Sequence, residues 1–584
     1  MKTPFNSLSL AIALALTVTS LTANAVYVPD LSAPLPTSPD PKAVDCSPST
    51  TAKTWEVGPG LAYETIGDVD WNHLKAGDVV RIHWRATPYA EKILLSTSGT
   101  VANPIKVCGV PGGPTADSNM LPTITGENAK ARADLAYRND VPENYDTDGV
   151  LDSEHWGLIL VFNKTFEKKP KNIIIEGLHL TGANQFTSFT ATNGKTGKHN
   201  GFTACIFVQE GDNISIRGNE IENCGHGVFA NSHEYESQAT RNLLIESNYV
   251  HGNGALDLPD LTGVRSQSVH SMYIQSIGMT LQFNYFGPNR NKSQGGIFKD
   301  RSVGSVVRYN WFSQGARILD FVEPQSANTL FIPAAWDQYL ADVGNTNGLP
   351  SRANVVKANK QFQKTYVYGN FIRNDLGNGT IGKGAYAPVH FGGDEGGETN
   401  NRVRQGKLYF FNNTVLTYAS NQAFARTNVF DMGLGSPLTT PGTKIEAFNN
   451  IIHLQSRTAT APRPDYYLAR HDYENINFGK NWVTSDTQAH GFDAAEVAGL
   501  AGTGVINGLA NLTGGMAAPI NLNSLKSVNV NMALKNAGQA LPAEIAGLTL
   551  KYQLLVNRTN PLLSKPVLRS STNALDLGAY AIAP

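Results

Sequence analysis

Seven times between residues 216 and 452 the chain repeats one short unit, an apolar run broken by an asparagine and followed by more apolar residues. The copies are IRGNEI, IESNYV, LQFNYF, VRYNWF, VYGNFI, FFNNTV and AFNNII, with Asn219, Asn248, Asn284, Asn310, Asn370, Asn413 and Asn450 at the fixed place. A unit this short cannot bury its own apolar face, so it must stack on further copies to make a continuous core. Stacking brings the asparagines to one corner of every coil, where each side-chain amide can bond to those above and below. Unrelated loop asparagines in a β-sandwich would have no reason to keep this place. The expected fold is therefore all-β, a single-stranded parallel β-helix. The 55 glycines and the charged fraction of only 16% agree with it.

The spacings between these asparagines are 29, 36, 26, 60, 43 and 37 residues. Any excess over one coil marks inserted loops. We place insertions at 324–364 and at 126–165, the second carrying His155 and Trp156, and expect both to wall a binding cleft.

Residues 1–25 read as a signal peptide: Lys2, an apolar run, then Ala23-Asn24-Ala25 as a cleavage site. The run falls short of the ~18–20 residues a membrane span needs. Cleavage near Ala25 and a secreted or periplasmic location are expected, with no membrane partner afterwards. Residues 26–54 form a Pro/Ser-rich lead-in, 55–484 the β-helix, and 485–584 irregular C-terminal rungs and a cap. The segment DVDWNHL reads as a short helix, and ALDLGAYAIAP as a closing strand.

The net charge of −1, or −2 without Lys2, argues against nucleic acid as a partner. A monomer is expected. Cys46 and Cys108 can pair to pin the N-terminal cap. Cys205 and Cys224, 19 residues apart, fall about one coil apart, as stacked thiols or as a disulfide. No cysteine spacing suits a structural zinc.

The stretch from Gly295 to Glu323 holds three strand-like runs, and Lys299 and Asp320 take equivalent places 21 residues apart, about one coil. Their rungs then lie roughly 4.8 Å apart. Superposing the rungs by their turns puts Tyr273, Lys299, Asp320, His390 and Asp431 on one outward-facing sheet, with His226 and His270 on earlier rungs. Acids, bases and cations interleaved in this way exceed what solubility asks for. The candidate catalytic residues are Lys299, Asp320, His390 and Tyr273. Arg301, Arg317, His270, Glu323, Asp394 and Asp431 are candidates for holding substrate.

The opening motifs AGDVV and SGTVANPI resemble the first coils of the pectate-lyase-like superfamily, whose fold is a right-handed parallel β-helix. Around Lys299 the chain is similar to the alginate and chondroitin-B lyases, matching their base lysine at Lys299 and their R-x-N-x-F at Arg308–Phe312. Asp320 stands where those lyases carry an acid arginine, and the nearest arginine is Arg317. The resemblance implies β-elimination on a uronate. A base removes the C5 proton, cations steady the enolate, and an acid protonates the leaving oxygen. Lys299 serves as that base if Arg301 or Arg317 lowers its pKa, arginines bind the carboxylate, and His390 or Tyr273 is the acid.

Two other readings stay open. A glycoside hydrolase needs two carboxyls across the bond, drawn from Asp300, Asp320, Glu323, Asp394, Glu395 and Asp431, with Asp320 and Asp394 preferred; GHG at 225–227 echoes one polygalacturonase signature. A non-catalytic adhesin or glycan-binding solenoid is the third, disfavoured by the irregular coils and large insertions. The acidic loop GGDEGGETNN, with Asp394, Glu395 and Glu398, offers oxygens that suit Ca2+. The expected partner is an acidic polysaccharide.

Overall fold

Runs such as Lys171–Glu176, Asp212–Arg217 and Arg241–Glu246 place apolar residues at every second position, Ile173 and Ile175 or Ile214 and Ile216, and these are fully buried. Strands this short stand only when paired on both sides. In the computed structural model they stack in parallel. The structure describes residues 35–36, 40–137, 145–166, 168–257, 266–376, 386–394, 404–419, 426–432, 443–456, 465–470, 475–484, 488–490, 506–507, 534, 536–569 and 575–581.

Three parallel sheets, two of 12 strands and one of 11, run the length of the described coils, as a parallel β-helix requires. One coil passes through Val303–Arg308 in the first sheet, Trp311–Ser313 in the third and Leu319–Phe321 in the second. The inward side chains fill the middle with one continuous apolar core.

The asparagines stand at the turn from the first sheet to the third. Each side-chain oxygen accepts from the backbone N–H and the amide of the asparagine one coil earlier. For Asn310 these are Asn284 N and Nδ2, both at 3.0 Å, and the series runs unbroken from Asn219 to Asn450. Asn481 adds an eighth member, 2.8 Å from the Asn450 amide. The residue before each of the first seven is left-handed, from Gly218 (φ 61°) and Ser247 (56°) to Tyr309 (57°) and Asn449 (58°). That conformation turns the chain so that the asparagine points inward, at a cost for non-glycine residues of roughly 1–2 kcal/mol. Asn310→Ala leaves the buried backbone N–H of Asn284 without an acceptor, takes one of three acceptors from its side-chain amide, and removes the amide that bonds Asn370. We expect it to lower stability by about 3 kcal/mol, read as a reduced urea midpoint at unchanged slope.

Both cysteine pairs are disulfides, Cys46–Cys108 and Cys205–Cys224. DVDWNHL, residues 68–74, holds the last residue of one 3-10 turn, Ile66–Asp68, and the whole of a second, Trp71–His73, instead of one helix, and Trp71 turns inward and bonds through Nε1 to the Ile66 carbonyl. The 324–364 insertion leaves the coil as expected, through helices Pro333–Val343 and Arg352–Phe362. It does not wall the cleft. Its Leu330, Phe331, Ala358 and Phe362 bury against Ile277 and Val303 of the first sheet, whereas the cleft opens on the second, and of its described residues only Gln325 reaches the cavity. None of the described residues of 126–165 lines the cavity either.

Residues 575–581 form no strand among the described residues, although Leu577 and Ala579 are buried. From residue 534 the described chain lies along the side of the stack. There Tyr552 and Leu554 cover an aromatic stripe of Phe283, Tyr309, Tyr368 and Phe411. Residues 1–25, expected to be a signal peptide, with Glu395, Glu398 and most of 485–533, fall outside the described residues.

Candidate active site

In strands Phe298–Asp300, Leu319–Phe321 and Val389–Phe391, the flanking Phe298, Leu319, Phe321, Val389 and Phe391 all point into the core with no exposure. Alternation then turns the middle residue outward. Register makes these middle residues one column: Tyr273 pairs with Lys299, Lys299 with Asp320, Asp320 with His390 and His390 with Asp431. Below Tyr273 the column continues as Phe229 and Phe207, ring stacked on ring.

Beside the column lies a cavity of about 500 Å³, lined among others by His270, Tyr273, Lys299, Arg301, Arg317 and Asp394. Asp320 also reaches it, while His390, Glu323 and Asp431 are not among its walls. Lys299 and Arg301 are buried, and both bond the same oxygen of Asp394, the Lys299 ammonium very closely and Arg301 Nη2 at 3.0 Å. The Asp394 side chain is 35% exposed. Its backbone N–H is held by the Glu323 carboxylate at 3.1 and 3.2 Å. Arg301 further donates through Nε to the Tyr273 hydroxyl at 2.6 Å and through Nη1 to the Glu323 carbonyl. Tyr273 in turn donates to Gln325 at 3.2 Å.

Asp320 is the buried anion behind this wall. Arg317 Nη1 lies 2.9 Å from its Oδ1, His390 Nδ1 2.6 Å from the same atom, and Lys299 Nζ 3.5 Å from Oδ2. Burial pushes its pKa up, but Arg317, His390 and Lys299 together overcome that and hold it well below the usual carboxylate range. Burial likewise pulls the Lys299 ammonium down, and Asp320 and Asp394 more than compensate, leaving its pKa above the ordinary value. This corrects the expectation that neighbouring arginines lower it. Lys299 is a firm cation.

His270 Nδ1 accepts from the Gly296 N–H at 2.9 Å, so the proton of the neutral ring sits on Nε2. Burial, helped by Lys299, holds its pKa well below the ordinary histidine value. His226, at the cavity's edge, is held down by burial to about 4 and bonds through Nδ1 to the His270 carbonyl. Asp300, a hydrolase candidate, points into the core. There it accepts from Ser302 N and Ser305 and pairs with fully buried Arg404 at 3.4 Å.

Gln325, marked in the sequence only as part of the 324–364 insertion, lines the cavity, and Tyr386 lines it without any mark in the sequence. Tyr386 does so as the ring under the Arg317 guanidinium, 4.7 Å away. For calcium, the described part of the acidic loop fits poorly, because the Asp394 oxygen already serves two cations.

No family model matches the chain, and no curated protein does. Solved structures do. An alginate lyase from Paenibacillus sp. str. FPU-7 is 13% identical over 70% of this chain and 94% of its own, at TM-score 0.30. The pectate lyase Pel9A is 10% identical over 92% and 98%, at 0.37. DFA-IIIase from Arthrobacter chlorophenolicus A6 is 11% identical over 74% and 88%, at 0.31. The likeness is one of fold. At these scores no residue role passes from one chain to another.

Proposed function

We propose that the chain is an exported polysaccharide lyase, acting as a monomer, that cleaves a uronic-acid-containing polysaccharide by β-elimination at the cavity beside Lys299. The observation that supports this best is the Asp394 carboxylate, gripped by two buried cations yet open to solvent on its far side. A uronate carries the same group. Entering the cavity, it takes the place of Asp394 between Lys299 and Arg301, and its charge is neutralised before reaction. Those cations then steady the enolate that forms when C5 loses its proton. Lys299 thus acts as the electrostatic partner, and not as the base.

Proton transfer falls to Tyr273. Its oxygen accepts from Arg301 Nε, so its own proton is turned away from the guanidinium. Once its hydroxyl proton has passed to solvent, the oxygen takes the C5 proton, the C4–O bond breaks as the C4–C5 double bond forms, and the restored phenol hands that proton to the leaving oxygen. His270 Nε2–H is a second donor facing the same space. Asp320, Arg317 and His390 hold Lys299 in place from behind.

Hydrolysis would need a carboxyl kept protonated. Asp320 is held ionised by three neighbours, and Asp394 is engaged by two cations, which favours elimination. Incubation with a panel of acidic polysaccharides should produce the ultraviolet absorbance of an unsaturated uronate in step with new reducing ends. Reducing ends without that absorbance would sink the lyase reading, and binding without either would leave a glycan-binding solenoid.

A further inference from the structure

On the outer face of the third sheet, away from the cavity, three successive rungs bring together two imidazoles and two carboxylates. His179 pairs in register with Glu220, and Glu222 with His251. His179 Nε2 lies 2.9 Å from Glu222, and His251 Nε2 3.1 Å from Glu220 with its Nδ1 3.6 Å from Glu222. Donor atoms of His179, Glu220 and Glu222 all fall within 4.8 Å of one another. We propose that these three residues bind a divalent transition metal of the zinc class, with His251 flanking Glu220 and Glu222.

Glu220 and Glu222 have no lysine or arginine ion pair among the described residues, and the groups that face them are His179 and His251. A dication at their meeting point balances the two carboxylates. Imidazole nitrogen with carboxylate oxygen suits zinc, nickel or cobalt, whereas calcium takes oxygen alone. Thr123 Oγ1 lies 3.1 Å from His179 Nδ1, an outer partner placed to accept from Nδ1–H when Nε2 is given to a metal. All four side chains are a fifth to a third exposed, so an ion has a path in. Bound there, it ties two neighbouring coils together from outside.

The test uses the full mature chain without a histidine tag, stripped with chelator and dialysed. Calorimetric titration should show one Zn2+ per chain, and Co2+ should give visible ligand-field absorption, neither displaced by excess Ca2+. His179→Ala and Glu222→Gln should each weaken Zn2+ binding by roughly 100-fold, and Thr123→Val by about tenfold, with polysaccharide cleavage unchanged. Absence of stoichiometric Zn2+ binding overturns the proposal. So does binding that survives His179→Ala/Glu222→Gln in a variant whose circular dichroism and chelator-treated melting match the parent.

Discussion

Replacing Asp320 by alanine is expected to cost about 3–5 kcal/mol of stability and to abolish activity. The residue is 3% exposed and is the shared counter-ion of Arg317, His390 and Lys299. Breaking a buried charge cluster by removing one partner leaves the others uncompensated, and that is the expensive way to disturb it. Urea unfolding of parent and variant measures the loss. Asp320→Asn keeps the shape and adds a pH test. The folded pKa of Asp320 lies below its unfolded value of about 3.9, so its contribution is present in full above that value and fades as pH falls through the folded pKa. The parent should therefore lose stability below about pH 4 with a steeper slope than the asparagine variant. Equal slopes would show that Asp320 is not the ionised hub.

The second large effect is expected at Tyr273. Tyr273→Phe removes one oxygen and leaves the ring stacked on Phe229, so melting should move little while kcat/KM for an acidic polysaccharide falls by roughly 10²–10⁴-fold. The loss should sit in kcat, since the carboxylate grip by Lys299 and Arg301 is untouched. Arg301→Gln should instead raise KM as well as lower kcat, because it takes away both a carboxylate partner and the donor that orients the phenol. A Tyr273→Phe variant with parental kcat would remove the proton-transfer role and leave the binding site standing.

Much of this was readable along the chain because a coil repeats at short range. The asparagine ladder and the column from Tyr273 to Asp431 depend on which rung position a residue holds, and spacing alone reveals that. The ladder's last member escaped only because the pattern around Asn481 is diluted. What sequence order cannot give is the sign of a pKa. Arg301, two residues from Lys299, suggests a lowered value, yet Asp320 on the next rung and Asp394, 95 positions further on, both raise it and reverse the sign. The helical insertion misled for a similar reason: its docking surface is Ile277 and Val303, residues that look like ordinary strand positions until the coil is closed. Nor does any local motif say that Asp300 faces the core while its neighbour Lys299 faces the cavity.

A stack held only by nearest neighbours can fray coil by coil from a free end. Here the trailing segment doubles back. Its backbone reaches Tyr309 through Lys551 N, while Asn412 and Asn449 donate to the carbonyls of Asp576 and Gln539. The last coils are thus latched to ones much earlier, and peeling the end away also uncovers the aromatic stripe beneath it. Opening the rungs under the cavity from this end therefore also means lifting the trailing segment, which helps keep the column from Tyr273 to Asp431 in register under conditions that would loosen an unlatched solenoid.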